Sequence, residues 1–482
     1  MNIPHINGFP IIGSLPHFMQ GQLPFMYQAW QQHGDVVRFR VGPVRLLLIN
    51  HPDLIQEMLV AKADKFEKSP LDHAVFSRSM GNSILVSEGA FHKQQRKLMQ
   101  PAFHHQRIAG YAQITTDFTQ QMLAAWTPGE TREMEHEMTR LTLFIISKAL
   151  YNADVSTSAD GVGEAIEVLT SAANDAYRTG MMPPKWLPIP QNWRVNAAIR
   201  QIDSVILSII EARRAQGNIA DKGDLLSMLL MAQDEDGNHM SDQQVRDEAV
   251  ALFIAGHETT SNLMAWTFYA LSQHPQVEAA LTAELDAVLG GRVPTLADLP
   301  ALKYTEQVIK EALRVYPSAW VLNGRAAQET VQLGDVMVDK GEVVYGSPYI
   351  MHHHPRYYEN PDAFRPERWT PDFEKALPRY AYFPFGGGAR VCIGNSFAMM
   401  EARLILATVA QRWRFESVNT PQLAPRVTLH AKDGICLRAF PRTPPPNGSP
   451  RSPNPPTPDL HAPSDRGRHS VCPARRRPAE GM

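Results

Sequence analysis

The sequence predicts a mainly α-helical fold with small β-sheets, and three observations carry that prediction. Apolar residues recur at helical spacing over most of the stretch from His51 to Leu313, for example Met134 to Leu150 and Ala198 to Gln216. Short strand-like runs lie on either side of that stretch. With 482 residues, 44% of them hydrophobic and 20% charged, the chain can bury a large core in one big domain or two smaller ones.

The elements follow in chain order. Met1 to Gln22 is interrupted by Pro4, Pro10 and Pro16 and has no apolar run near the roughly 20 residues a membrane helix needs, so neither anchor nor signal peptide is expected. Asp35 to Val41, the turn Gly42-Pro43, and Val44 to Ile49 read as two strands of a small sheet. Helices then dominate, with proline and glycine punctuation between Met182 and Pro190. Strand-like pieces return at Gly334 to Val338 and Val343 to Tyr345, and Gly434 to Arg438 reads as a closing strand. From Pro441 the composition turns to Pro, Ser, Arg and Asn, which cannot pack a core. One domain over 1–440 and a disordered tail over 441–482 are therefore expected.

A net charge of −2, from 47 basic and 49 acidic residues, gives no sign of nucleic acid or an anionic membrane as partner. Three cysteines, Cys392, Cys436 and Cys472, are too few and too scattered for a disulfide framework or a zinc site, which fits a reducing compartment. Cys436 reads as a core residue of a strand and Cys472 as an exposed thiol in the tail.

The chemistry concentrates in Phe385-Gly386-Gly387-Gly388-Ala389-Arg390-Val391-Cys392-Ile393-Gly394. A cysteine that ligates iron must stay deprotonated, so it wants backbone N–H donors and little side-chain bulk around its sulfur, which the four glycines allow. Arg390 supplies a cation for a carboxylate, and Phe385 an aromatic face. A second motif, Ala255-Gly256-His257-Glu258-Thr259-Thr260, interrupts an apolar helical pattern running from about Asp247 to Leu271. A mid-helix threonine can turn its hydroxyl onto the carbonyl one turn earlier and open a groove. The zinc-protease pattern His-Glu-x-x-His fails here, because Ser261 stands where the second histidine belongs. Glu311 and Arg314 share a helix face and can pair. The triplet His352-His353-His354 reads as structural, ahead of a metal tract.

These motifs, in this order, resemble the cytochrome P450 family over nearly everything from Gly8 to about Phe440. The pattern Phe-x-x-Gly-x-Arg-x-Cys-x-Gly arises by chance in such a chain with a probability of very roughly one in ten thousand. The resemblance implies a fold with haem b held between the oxygen-binding helix and the cysteine loop. It implies Cys392 as the iron ligand, and His92, Arg96, Ala255, Arg325, Phe385, Arg390 and Gly394 around the cofactor. Glu258 and Thr259 are implied to manage protons, and Arg368 to join Glu311 and Arg314 in a buried network that supports the loop. The implied reaction is hydroxylation or epoxidation of an apolar small molecule, such as a fatty acid or terpenoid, with O2. Its electrons come from NAD(P)H through an external ferredoxin or flavodoxin and its reductase. Ser69 to Val86, Phe253 to Ala255 and Ser318 to Leu322 are expected to line the substrate pocket, with Phe76, Leu85, Phe253, Trp320 and Val321 as candidates. Arg96, Lys97 and Arg403 are candidates for a basic docking face. A soluble, bacterial-type, cytoplasmic monomer is expected. Two alternatives stay open at this stage: a peroxide-dependent or isomerase-type enzyme, against which Glu258-Thr259 argues, and a non-catalytic haem sensor or electron carrier.

Overall fold

A computed structural model describes residues 3–153, 159–215, 217, 220–233 and 239–442. The proline-rich stretch beyond, with Cys472, lies outside the described residues. The core is helical and organised around one helix, Asp242–Gln273. Ser241 starts it, its side chain accepting a hydrogen bond from the Gln244 N–H at 3.2 Å. This central helix is buried over most of its length and packs against the helices Met134–Tyr151, Pro190–Arg214, Lys303–Val315 and Asn395–Ala410. Such all-round burial explains why its apolar residues are not confined to one stripe. It begins five residues before the expected Asp247, because Asp242, Gln243 and Gln244 form a polar first turn with no apolar periodicity. Pro190–Arg214 likewise starts ahead of Ala198, with Pro190 in its first turn, where a missing N–H costs nothing.

The two expected strands, Val36–Val41 and Val44–Ile49, pair antiparallel across the turn at Gly42, whose φ is +56°. Three distant strands complete their sheet: Val343–Gly346 joins in parallel, then Arg325–Ala327 and Phe66–Lys68 antiparallel. Val331–Leu333 and Val336–Val338 form a separate hairpin. The closing strand, Cys436–Pro441, lies between Thr131–Glu133 and Trp413–Ser417, with Cys436 fully buried. No described helix is long and apolar enough to cross a membrane.

Candidate active site

The cysteine loop is shaped by its glycines. Gly386 and Gly388 sit at φ +70° and +64°, where L side chains are strained, and a Cβ on Gly388 would collide with the Leu59 carbonyl. The turn is closed by Gly386 N–H to the Phe383 carbonyl (3.0 Å) and Cys392 N–H to the Phe385 carbonyl (2.9 Å). Cys392 opens onto a cavity, and its accessible surface faces that cavity while protein encloses the rest of it. Burial raises the thiol's pKa; the Gly394 N–H and the Arg96 guanidinium oppose that rise. A cation on the open side of the sulfur would complete the stabilisation of a thiolate.

Across the cavity the central helix presents Ala251, Leu252, Ala255, Gly256, Thr259 and Thr260. Thr259 Oγ1 donates to the Ala255 carbonyl at 3.0 Å, the back-bond expected of a mid-helix threonine. Gly256 also lets the helix Met134–Tyr151 come close: a Cβ there would sit 2.6 Å from Ile146 Cδ1.

One end of the cavity is cationic. Lys68, His92, Arg96, Arg325 and Arg390 all line it. Lys68 and Arg325 face each other directly across two antiparallel strands, a like-charge pairing that costs stability unless an anion lies between. Glu88 is the one carboxylate that ion-pairs with this group among the described residues, touching both Arg390 and Lys68. Burial and the neighbouring cations push Lys68 down to about 8, Arg325 to about 10 and His92 to about 4. Four cations against one carboxylate leave an excess of positive charge, which makes a receptor for a multiply anionic ligand such as a dicarboxylate. Thiol, small-residue helix and cationic end together fit a flat, metal-centred, dicarboxylate macrocycle. Neither Lys68 nor Glu88 was legible as a site residue, since the first pairs with Arg325 only through the sheet.

Beneath the loop lies the acid–arginine network. Glu311 Oε2 and Oε1 each accept from Arg314, from Nε and Nη2, at 2.9 Å, and Oε1 accepts from Arg368 Nε at 3.0 Å. Trp369 Nε1 donates to Oε2 at 2.9 Å, and the Arg365 N–H to Oε1 at 2.8 Å. Arg314 also donates to the carbonyls of His352, Pro361 and Ala363. His352 Nε2 accepts from the Phe383 N–H at 3.0 Å, so the network reaches the segment that carries the cysteine loop. The histidine triplet is thus built into the support, and no cluster of metal-ligating side chains occurs among the described residues.

Three sequence expectations land elsewhere. Phe253 does not line the cavity; it packs on Tyr151 and His257, because residues 253 and 257 share the helix face turned to Met134–Tyr151. Trp320 is buried with its N–H on the Arg426 carbonyl (2.7 Å) and borders an outer apolar cleft of about 660 Å³, together with Phe76 and Val321. Val321, Leu322 and Asn323 line both spaces, and Leu85 the inner one. Glu258 turns away from Cys392, towards Thr428, His430 and Thr170, because consecutive residues on a helix point about 100° apart. Of the Glu258–Thr259 pair, only Thr259 therefore lines the cavity, beside Thr260.

The family model described as Cytochrome P450 matches residues 4–437. Cyclooctatin synthase of Streptomyces melanosporofaciens is 38% identical over 438 residues, 90% of this chain and 94% of that protein. Cyclooctat-9-en-7-ol 5-monooxygenase of the same organism is 36% identical over 416 residues, 85% and 88% of the two chains. Pentalenene oxygenase of Streptomyces avermitilis is 32% identical over 440 residues, 90% and 96%. A crystal structure of the haem domain of cytochrome P450DA superposes with a TM-score of 0.82 at 27% identity, covering 92% of this chain and 98% of that one.

Proposed function

Because the chain belongs to the cytochrome P450 family, we propose that the cavity above Cys392 oxidises a terpenoid, delivered through the outer cleft beside Trp320 and Phe76. The enzyme is a haem-thiolate monooxygenase acting on an apolar small molecule with electrons from NAD(P)H through a reductase system. Haem b, when bound, supplies the activation of O2. In this reading Cys392 would hold the iron, Ala255 and Gly256 would leave the opposite face clear, and Lys68, His92, Arg96, Arg325 and Arg390 would hold the propionates. The observation that carries it is the convergence on one cavity of the cysteine thiol, the back-bonded Thr259 and the undercompensated cations.

The terpenoid assignment is supported by relatives named as oxygenases of cyclooctat-9-en-7-ol and of pentalenene and by a predominantly apolar cleft of a size usual for small-molecule sites, about 300–1,000 Å³. A panel of cyclic terpenes, fatty acids and steroids, read by the shift of the haem Soret band, tests it. Cyclic terpenes should bind at least tenfold tighter than fatty acids of equal carbon number; a preference for the acids would reassign the substrate class.

The ferredoxin or flavodoxin partner belongs to the same proposal. A surface depression of about 670 Å³ next to Ala389 of the cysteine loop is lined by Lys93, Arg96, Lys97 and Arg107, which suits an acidic protein. Cytoplasmic operation is proposed with it, in keeping with the bacterial relatives.

Thr259→Ala should leave substrate binding and reduction intact but divert electrons into hydrogen peroxide, since its hydroxyl is the cavity-facing group placed to hold a proton on this side. Product per NAD(P)H should fall by about fivefold or more while NAD(P)H oxidation continues. Full coupling in the variant would transfer the role to Thr260 or to water.

A further inference from the structure

Glu258 ends in a polar cluster assembled from four separate parts of the chain. Its Oε1 accepts from the Thr428 hydroxyl at 2.7 Å and lies 3.2 Å from His430 Nε2; its Oε2 accepts from the Thr170 hydroxyl at 3.4 Å. The other nitrogen of the same ring, Nδ1, is 3.7 Å from Glu135 Oε1 at the start of the helix Met134–Tyr151. That oxygen in turn accepts the Ala431 N–H at 2.7 Å, which fixes the hairpin strand carrying His430. Asn262, one turn after Glu258 on the central helix, donates to Thr428 Oγ1 at 2.9 Å and places its Nδ2 3.3 Å from His430 Nε2.

We propose that His430 acts through Glu258 as a proton relay, passing the Nε2 proton to Glu258 Oε1 and recovering one from water, with Glu135 holding the ring in place. This rests on the monooxygenase reading above, in which protons must be drawn from solvent to the central helix; Glu258 receives them on the side away from the cavity, one residue before the cavity-lining Thr259. The geometry suits a relay because both protonation states of Nε2 are satisfied. Protonated, it donates to Glu258 or to the Thr428 oxygen; deprotonated, its lone pair accepts from Asn262 Nδ2. In the transfer the Nε2–H bond breaks, its electron pair stays on nitrogen, and an O–H bond forms on the carboxylate. The ring keeps 18% of its side-chain surface accessible to water, against 12% for Glu258 and 7% for Glu135, so it is the member of the triad best placed for reprotonation.

Electrostatics agree. Burial works against a charged ring, but hydrogen bonds and charges from Glu135 and Glu258 outweigh it and raise His430 to about 9. Glu258 is lowered, burial being outweighed by His430 and Thr428. The charged groups facing the ring are Glu135 and Glu258, with Thr428 and Asn262 as neutral partners and His257, held neutral by burial, behind Glu258. Since the folded value lies above the ordinary 6.5, the triad's stabilisation is complete below about 6.5 and is lost as pH rises through about 9.

The test is a double-mutant cycle on the reconstituted holoenzyme with His430→Gln, Glu258→Gln and the double variant, joined to a titration of the His430 ring by NMR of 13C-histidine-labelled wild type. His430→Gln should lower product formation about tenfold at pH 7.5 and remove an alkaline limb centred near pH 9, and should add no loss in the Glu258→Gln background. The ring should titrate near 9. Equal losses in both backgrounds, an unchanged limb, or a ring titrating near 6.5 would each overturn the relay. The titration needs neither substrate nor turnover, so it can fail while the oxygenase stands. Loss of the thiolate spectrum in wild type would overturn the oxygenase reading instead.

Discussion

Replacing Cys392 with alanine should abolish the red-shifted Soret band of the reduced, carbon monoxide-treated protein and reduce product formation below detection. Nothing near the loop can substitute for it: among the described residues no other thiol lines the cavity, and the buried His92 lies at its cationic end, not on the loop. Cys392→His should retain some haem but show the unshifted band of a nitrogen ligand. An unchanged spectrum in Cys392→Ala would remove the thiolate from the site.

Glu311→Ala should destabilise the folded protein by about 3–5 kcal/mol, the usual cost of stranding buried charge, out of a typical total of about 5–15 kcal/mol. The carboxylate and Arg314 have no accessible side-chain surface, and its loss would leave Arg314 and Arg368 together without a counter-charge and two further donors, Trp369 Nε1 and Arg365 N–H, without an acceptor. Because the network continues through His352 to Phe383, haem should be lost from the variant at lower denaturant than from wild type. Urea unfolding followed by both tryptophan fluorescence and haem absorbance measures this. Glu359→Ala, which breaks only the exposed pair with Arg365, should change stability by less than about 1 kcal/mol; equal effects from the two variants would show that the buried network does not carry the loop.

What the sequence determined by itself is what short, contiguous chemistry can express. The cysteine loop needs glycines at 386 and 388 because of their positive φ, Thr259 back-bonds within one turn, and Glu311 and Arg314 lie three apart on one helix, so each was legible from neighbours in the chain. The strands Val36–Val41 and Val44–Ile49 were legible for the same reason, joined by a glycine turn. Only the tertiary structure decided which faces these pieces present and what distant side chains meet them. Helical rotation turns Glu258 out of the cavity that Thr259 faces and turns Phe253 into the core. Sheet pairing sets Lys68 against Arg325, and the hairpin at Leu429–Ala431 brings His430 between Glu135 and Glu258. Charges at such separations carry no mark in the sequence, since their interaction arises only when packing removes the water between them.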